Sequence, residues 1–140
     1  MNKKWSARER HGTRTRFLRA LRELDDAWVA AFHRAGLGDI YFSRLFIELW
    51  LRDPDAVSKS DAYDLVKGVS AQTAMKYVKR AVAEGYLEEF DNPVDGRSRL
   101  IRMSPRLERQ FGQVIDRANA AFAAIYTAAV SKRLQRQRLQ

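Results

Sequence analysis

The sequence has no cysteine, and that absence excludes disulfides, thiolate nucleophiles and zinc sites built on Cys together. A reducing cytoplasm suits such a chain, and a cytoplasmic location is expected. Histidine is almost as scarce. His11 lies in a polar N-terminal stretch and His33 at a helix end, neither with a spaced carboxylate or second ligand, so no metal, no cofactor and no catalytic residue is expected. There is no glycine-rich phosphate loop, because Gly36 and Gly38 follow a helix, where a phosphate-binding turn would follow a strand. No apolar run reaches the roughly 20 residues a membrane span needs; the most apolar segment, Ile40 to Leu51, contains Arg44 and Glu48 and reads as a buried helix. Met1-Asn2-Lys3-Lys4-Trp5 carries cations with no apolar run behind them, unlike a secretory signal. Internal repeats and domain-dividing linkers are missing too.

What the chain has is positive charge. A formal net charge of +9 and a pI near 10.2 point to polyanionic partners. The charge is uneven: Asp53 to Asp95 holds more carboxylates than cations, while the ends and the stretch after Asp95 hold the surplus. At 140 residues one domain is expected, with a modest core that an oligomer would help to stabilise.

Periodicity orders the chain. Residues 1–12 are polar and basic around an isolated Trp5, and read as a flexible basic arm. A first helix is expected over 13–34, with Phe17, Leu21, Leu24, Trp28 and Phe32 on one side and Gly36 and Gly38 ending it. Asp39 suits the N-cap of a central helix carrying Ile40, Phe42, Leu45, Phe46, Leu49 and Trp50, which Pro54 closes. A short third helix capped by Ser58 or Ser60 runs to Gly68. Ser104 and Pro105 start a last helix over 105–134, whose Leu107, Phe111, Val114, Ala118, Ala121, Ile125 and Ala129 step by four and three; Phe122 and Tyr126 broaden that stripe.

The stretch 57–105 carries the informative pattern. Ser70 stands before Ala71, Ala74, Met75, Val78, Ala81 and Val82, the stripe of an amphipathic helix that Gly85 stops. Off the stripe lie Gln72, Thr73, Lys76, Lys79 and Arg80, groups that bind base edges and phosphates, with no carboxylate until Glu84. The period then changes to about two in residues 86–90 and again in 97–103, with the turn-rich Asp91-Asn92-Pro93-Val94-Asp95-Gly96 between. Helix, turn, helix and hairpin make a winged helix. The expected fold is mostly α (α+β): a winged helix-turn-helix with a two-stranded wing, 57–105 as the DNA-binding module and the two long terminal helices as dimerisation helices within one domain, 13–140.

At these residues the chain resembles the MarR-type winged helix-turn-helix transcription regulators. Gly68-Val69-Ser70, Ala83-Glu84-Gly85-Tyr86-Leu87-Glu88 and Asp95-Gly96-Arg97-Ser98-Arg99 carry the resemblance. Gly96 stands where the family often has a second arginine, and Met103-Ser104 replaces its usual Leu-Thr. The resemblance implies that Arg97, oriented by Asp95, enters a minor groove, that Arg80 matches an arginine with a structural ion-pair role, and that a small aromatic ligand binds. Trp28, Phe32, Tyr41, Phe42 and Trp50 are candidates to line such a pocket, against their use as plain core.

The resulting expectation is a homodimer that binds a palindromic site in double-stranded DNA and regulates transcription. Ser70, Gln72, Thr73, Lys76, Lys79, Arg97 and Arg99 are the DNA-binding candidates and Asp95 the residue that orients the wing, with no membrane partner. A replication or partition protein, or an adaptor that binds proteins only, stays open, because fold alone does not decide function. Against the adaptor stands the row Arg97, Arg99, Arg102, read as cations that repel one another unless an anion is present.

Overall fold

A computed structural model describes residues 4–53 and 55–140, apart from the side chains at 126 and 128–130. The elements in order are α1 (Ala7–Phe32), α2 (Ile40–Arg52), β1 (Val57–Ser58), α3 (Lys59–Asp64), α4 (Ala71–Ala83), β2 (Leu87–Asp91), β3 (Arg99–Met103) and α5 (Pro105–Arg138). The expected winged helix-turn-helix is present. Two compact units emerge, residues 4–29 with 113–140, and residues 30–112.

The first unit pairs most of α1 with most of α5. Phe17 and Phe122 place their ring centroids 5.5 Å apart, Arg117 reaches Glu23 at 2.7 Å, and Arg136 reaches Glu9 at 3.1 Å. The helix begins before the expected Thr13, and the physical reason is a capping box. The Glu9 amide donates to Ser6 Oγ (3.1 Å) while the Ser6 amide donates to Glu9 Oε2 (2.9 Å), satisfying two donors that a helix start otherwise leaves open. The flexible arm expected over 1–12 is therefore corrected to helix from Ala7 onward. Met1 to Lys3, the helix-closing role of Pro54, and the stripe positions Tyr126 and Ala129 lie outside the described residues.

The second unit is wider than the module expected from Val57. Phe32 and Leu37, both fully buried, and α2 belong to it, because their side chains supply its core. The Phe32 ring packs at 5.6 Å from both Phe46 and Tyr86, and Phe111 of α5 meets Phe46 and Trp50. Asp39 caps α2 as expected, Oδ1 accepting from the amides of Tyr41 and Phe42. Ser58, not Ser60, caps α3, accepting from the Asp61 amide. Between α3 and α4 the chain turns through Gly68 at φ +84°, a conformation a side chain would strain.

The sheet has three strands in the order β1-β3-β2, all antiparallel, where two were expected. Leu87 faces Met103 and Asp91 faces Arg99, while β1 adds only the pairs Val57–Ile101 and Ser58–Leu100. A two-residue strand is too short to show periodicity, which is why it is invisible in the sequence.

Ser104 joins this sheet to α5. Its amide donates to Tyr86 O (3.0 Å), its hydroxyl donates to Gly85 O (2.7 Å), and its Oγ accepts from the Leu107 amide (3.1 Å), all at 4% exposure. Ser104→Ala is expected to destabilise the chain by about 1–3 kcal/mol, because the helix cap is lost and the Gly85 carbonyl loses its donor. Urea unfolding checks this; a change under about 0.5 kcal/mol, the size typical of surface substitutions, would show that the node is dispensable.

Candidate nucleic-acid interface

Two elements present candidate groups: α4 and the wing. In α4, Ala74, Val78 and Ala81 are buried, and the helical period puts Gln72, Lys76 and Lys79 on the opposite, exposed side. These three form one row without a carboxylate. Ser70 and Thr73 behave differently. Ser70 Oγ accepts from the Thr73 amide (3.2 Å) and donates to Thr73 Oγ1 (3.0 Å), so both hydroxyls are engaged in starting the helix. Of the α4 candidates, then, Gln72, Lys76 and Lys79 have no side-chain partner among the described residues, and Ser70 and Thr73 act on each other.

The next turn of α4 fastens it to the corner between α1 and α2. Arg80 donates to Ala35 O (2.9 Å) and pairs with Glu84 (3.3 Å). Tyr77 is half-buried and donates its hydroxyl proton to Asp39 Oδ2, while Asp39 Oδ1 caps α2. Its ring packs against those of Tyr41 and Phe42, at centroid distances of 5.6 and 4.5 Å. Burial, and then the Asp39 carboxylate that accepts its proton, push the Tyr77 phenol up to about 12. Residues 35 and 39 are distant in sequence from 77 and 80, and no local period signals that they meet.

The wing is shaped by two side chains that accept from backbone two residues on. Asn92 Oδ1 accepts from the Val94 amide and Asp95 Oδ1 from the Arg97 amide, each at 3.0 Å, and Ser98 N closes on Asp95 O at 3.0 Å. Val94, 93% exposed, is thereby carried at the tip. Asp95, expected to orient Arg97 and the wing, does so by accepting from the Arg97 backbone amide. Among the described residues no acidic group pairs with Arg97, whose side chain is exposed.

The expectation of a repelling arginine row is corrected. Arg99 pairs with Asp91 and with Glu89 (3.4 Å), and Arg102 pairs with Glu88 (2.8 Å) while lying over the Phe90 ring at 4.5 Å. Arg99 and Arg102 are three apart in one strand, so they also face opposite sides of the sheet. Lys59 joins the same group at 2.8 Å from Glu89; this contact holds the Glu89 carboxyl below its usual range and raises the Lys59 ammonium. These exposed pairs contribute about 0.2–1 kcal/mol each at most. Their consequence is electrostatic, since among the described residues they leave Arg97 as the unpaired cation of the wing.

No family model matches the chain, and comparison with curated proteins finds no relative. Solved structures do resemble it. The transcriptional regulator Tm0710 of Thermotoga maritima is 23% identical, with 87% of this chain and 89% of that one covered at a TM-score of 0.57. A MarR-like transcription regulator of Bacillus cereus is 19% identical, with 94% of each chain covered and a TM-score of 0.50. A mutant of MepR from S. aureus, solved bound to an oligodeoxyribonucleotide, is 9% identical, with 88% of each chain covered and a TM-score of 0.56. The chain therefore has the winged-helix fold of the MarR-type regulators.

Proposed function

We propose that this chain is a MarR-type transcription regulator that binds double-stranded DNA as a homodimer on a palindromic site. The observation that carries the reading is the pair of unneutralised groups in a winged helix: the carboxylate-free row Gln72, Lys76 and Lys79 on a capped helix, and Arg97 on a wing tip set by Asp95. A helix with such a row suits the major groove, where an amide pairs with adenine and a cation with guanine or phosphate. An unpaired guanidinium suits a narrow, negative minor groove. Arg99, already paired twice, is assigned to shaping the wing.

A dimer is supported by what the helical unit leaves in solvent: Phe17 is 50% exposed on α1 and Leu134 54% on α5. Two-fold pairing of α1 and α5 with their copies would cover such residues and impose a two-fold site. The resemblance also carries a small aromatic effector into this reading. Trp28, Phe32 and Phe42 are buried, which leaves Tyr41 and Trp50 as the surface-reaching aromatics to meet one.

Selection of bound sequences from a random duplex pool tests the reading. A recovered palindrome is expected, together with sedimentation at about twice the 16.2 kDa chain mass. A pool without any enriched motif would overturn the regulator assignment in favour of an adaptor, and a monomer binding an asymmetric motif would overturn the dimer.

A further inference from the structure

The surplus of positive charge is not on the winged-helix unit. Residues 30–112 contain thirteen Lys and Arg against twelve Asp and Glu, so that unit is almost neutral. Nearly all of the +9 resides in the helical unit, residues 1–29 and 113–140. From Arg8 to Arg22, six arginines stand against the single carboxylate Glu9, and no carboxylate follows Asp116 in α5.

We infer that the helical unit carries a second duplex-binding surface, in which Arg8, Arg14, Arg19 and Arg22 of α1, with Lys132 and Arg133 of α5, meet the phosphate backbone of DNA. The four arginines fall within an arc of about 140° on the helix at 100° per residue. All six side chains are exposed, and among the described residues none of them has an acidic partner. The contact between Arg136 and Glu9 draws the end of α5 to the start of α1, so Lys132 and Arg133, one turn before Arg136, join the cations at that end. Glu9 cannot neutralise them, because its carboxylate is held by the Ser6 amide and by Arg136.

The pattern runs against local physics, which is what gives it weight. Like charges three and four apart, as in Arg10 and Arg14 or Arg19 and Arg22, destabilise a helix, and cations in the first turn oppose its dipole. Solubility alone would be served by interspersed signs, the pattern of the winged-helix unit of this same chain. A row of guanidiniums, each a planar fork matched to phosphate, makes a sequence-independent contact with a polyanion. The surface extends the duplex-binding reading to a second unit and is tested apart from it.

The test is the salt dependence of full-chain binding to a random-sequence duplex. The combined variant R8Q, R14Q, R19Q and R22Q keeps residues of comparable helix propensity, so circular dichroism is expected to be unchanged. Its slope of log affinity against log salt is expected to fall by about 3 to 4, at about 0.9 for each phosphate the four arginines neutralise. The matching Arg→Lys variant, which keeps the charge, is expected to retain the slope. An unchanged slope in the Gln variant overturns the inference, and so does a variant that binds duplex normally but loses affinity for phosphatidylglycerol vesicles, which would assign the surface to a membrane. If the random pool yields no motif while the Gln variant loses its slope, the regulator reading fails and this surface stands; a clear motif with an unchanged slope has the opposite meaning.

Discussion

Phe46→Ala is expected to destabilise the chain by about 3–5 kcal/mol, the range for removing a buried aromatic ring from a core. Phe46 is fully buried on α2, and its ring lies 5.6 to 6.4 Å from those of Phe32, Phe42, Tyr86 and Phe111. These rings come from the end of α1, from α2 itself, from the approach to β2 and from α5. Deleting the one they share opens a cavity that no single side chain can refill, because each neighbour is fixed by its own stretch of backbone. Much of a typical domain stability of about 5–15 kcal/mol would be lost. Denaturant unfolding measures this directly; a loss under about 1.5 kcal/mol, the scale of a tolerated swap, would mean that the core collapses around the gap.

The second large effect separates affinity from discrimination. Arg97→Ala is expected to weaken binding to a preferred and to a scrambled duplex by similar factors, since a cation in the minor groove reads charge and width more than base identity. Gln72→Ala is expected to leave scrambled binding nearly intact while eroding the preference by about 1–3 kcal/mol, the cost of one base contact. Both mutants are measured on both duplexes at one salt concentration. Intact discrimination in Gln72→Ala, with discrimination abolished in Arg97→Ala, would transfer sequence reading to the wing and reverse the two roles.

The helices were legible because each announces its ends locally. Asp39, Ser70 and Ser104 sit at helix starts and are recognisable as caps, and the stripe Ala74, Val78, Ala81 marks the buried side of α4 by its period. The start of α1 was missed because the Ser6–Glu9 box lies in a run of arginines whose composition suggests a tail. At the candidate interface, Gln72, Lys76 and Lys79 were foreseen as an exposed row from period alone. The pairing of Arg99 and Arg102 was not, because it depends on the β2–β3 register, which sets Glu88 opposite Arg102 and Asp91 opposite Arg99. Nor could Asp39 and Tyr77 be joined beforehand, as no short-range rule links residues so far apart in the chain.

The bond from Arg80 to the Ala35 carbonyl ties two positions together over the course of sequence change. Gly36 has φ +76°, and a Cβ placed there would lie 3.1 Å from the Arg80 guanidinium. A bulkier residue at 36 would have to displace Arg80, and a shorter one at 80 would leave the corner carbonyl without its donor while relieving the crowding at 36. The dependence runs one way: a side chain at 36 is strained by the positive φ and also crowds the guanidinium, whereas loss of the arginine removes the crowding and leaves the strain, so the glycine is held in place even where position 80 has changed.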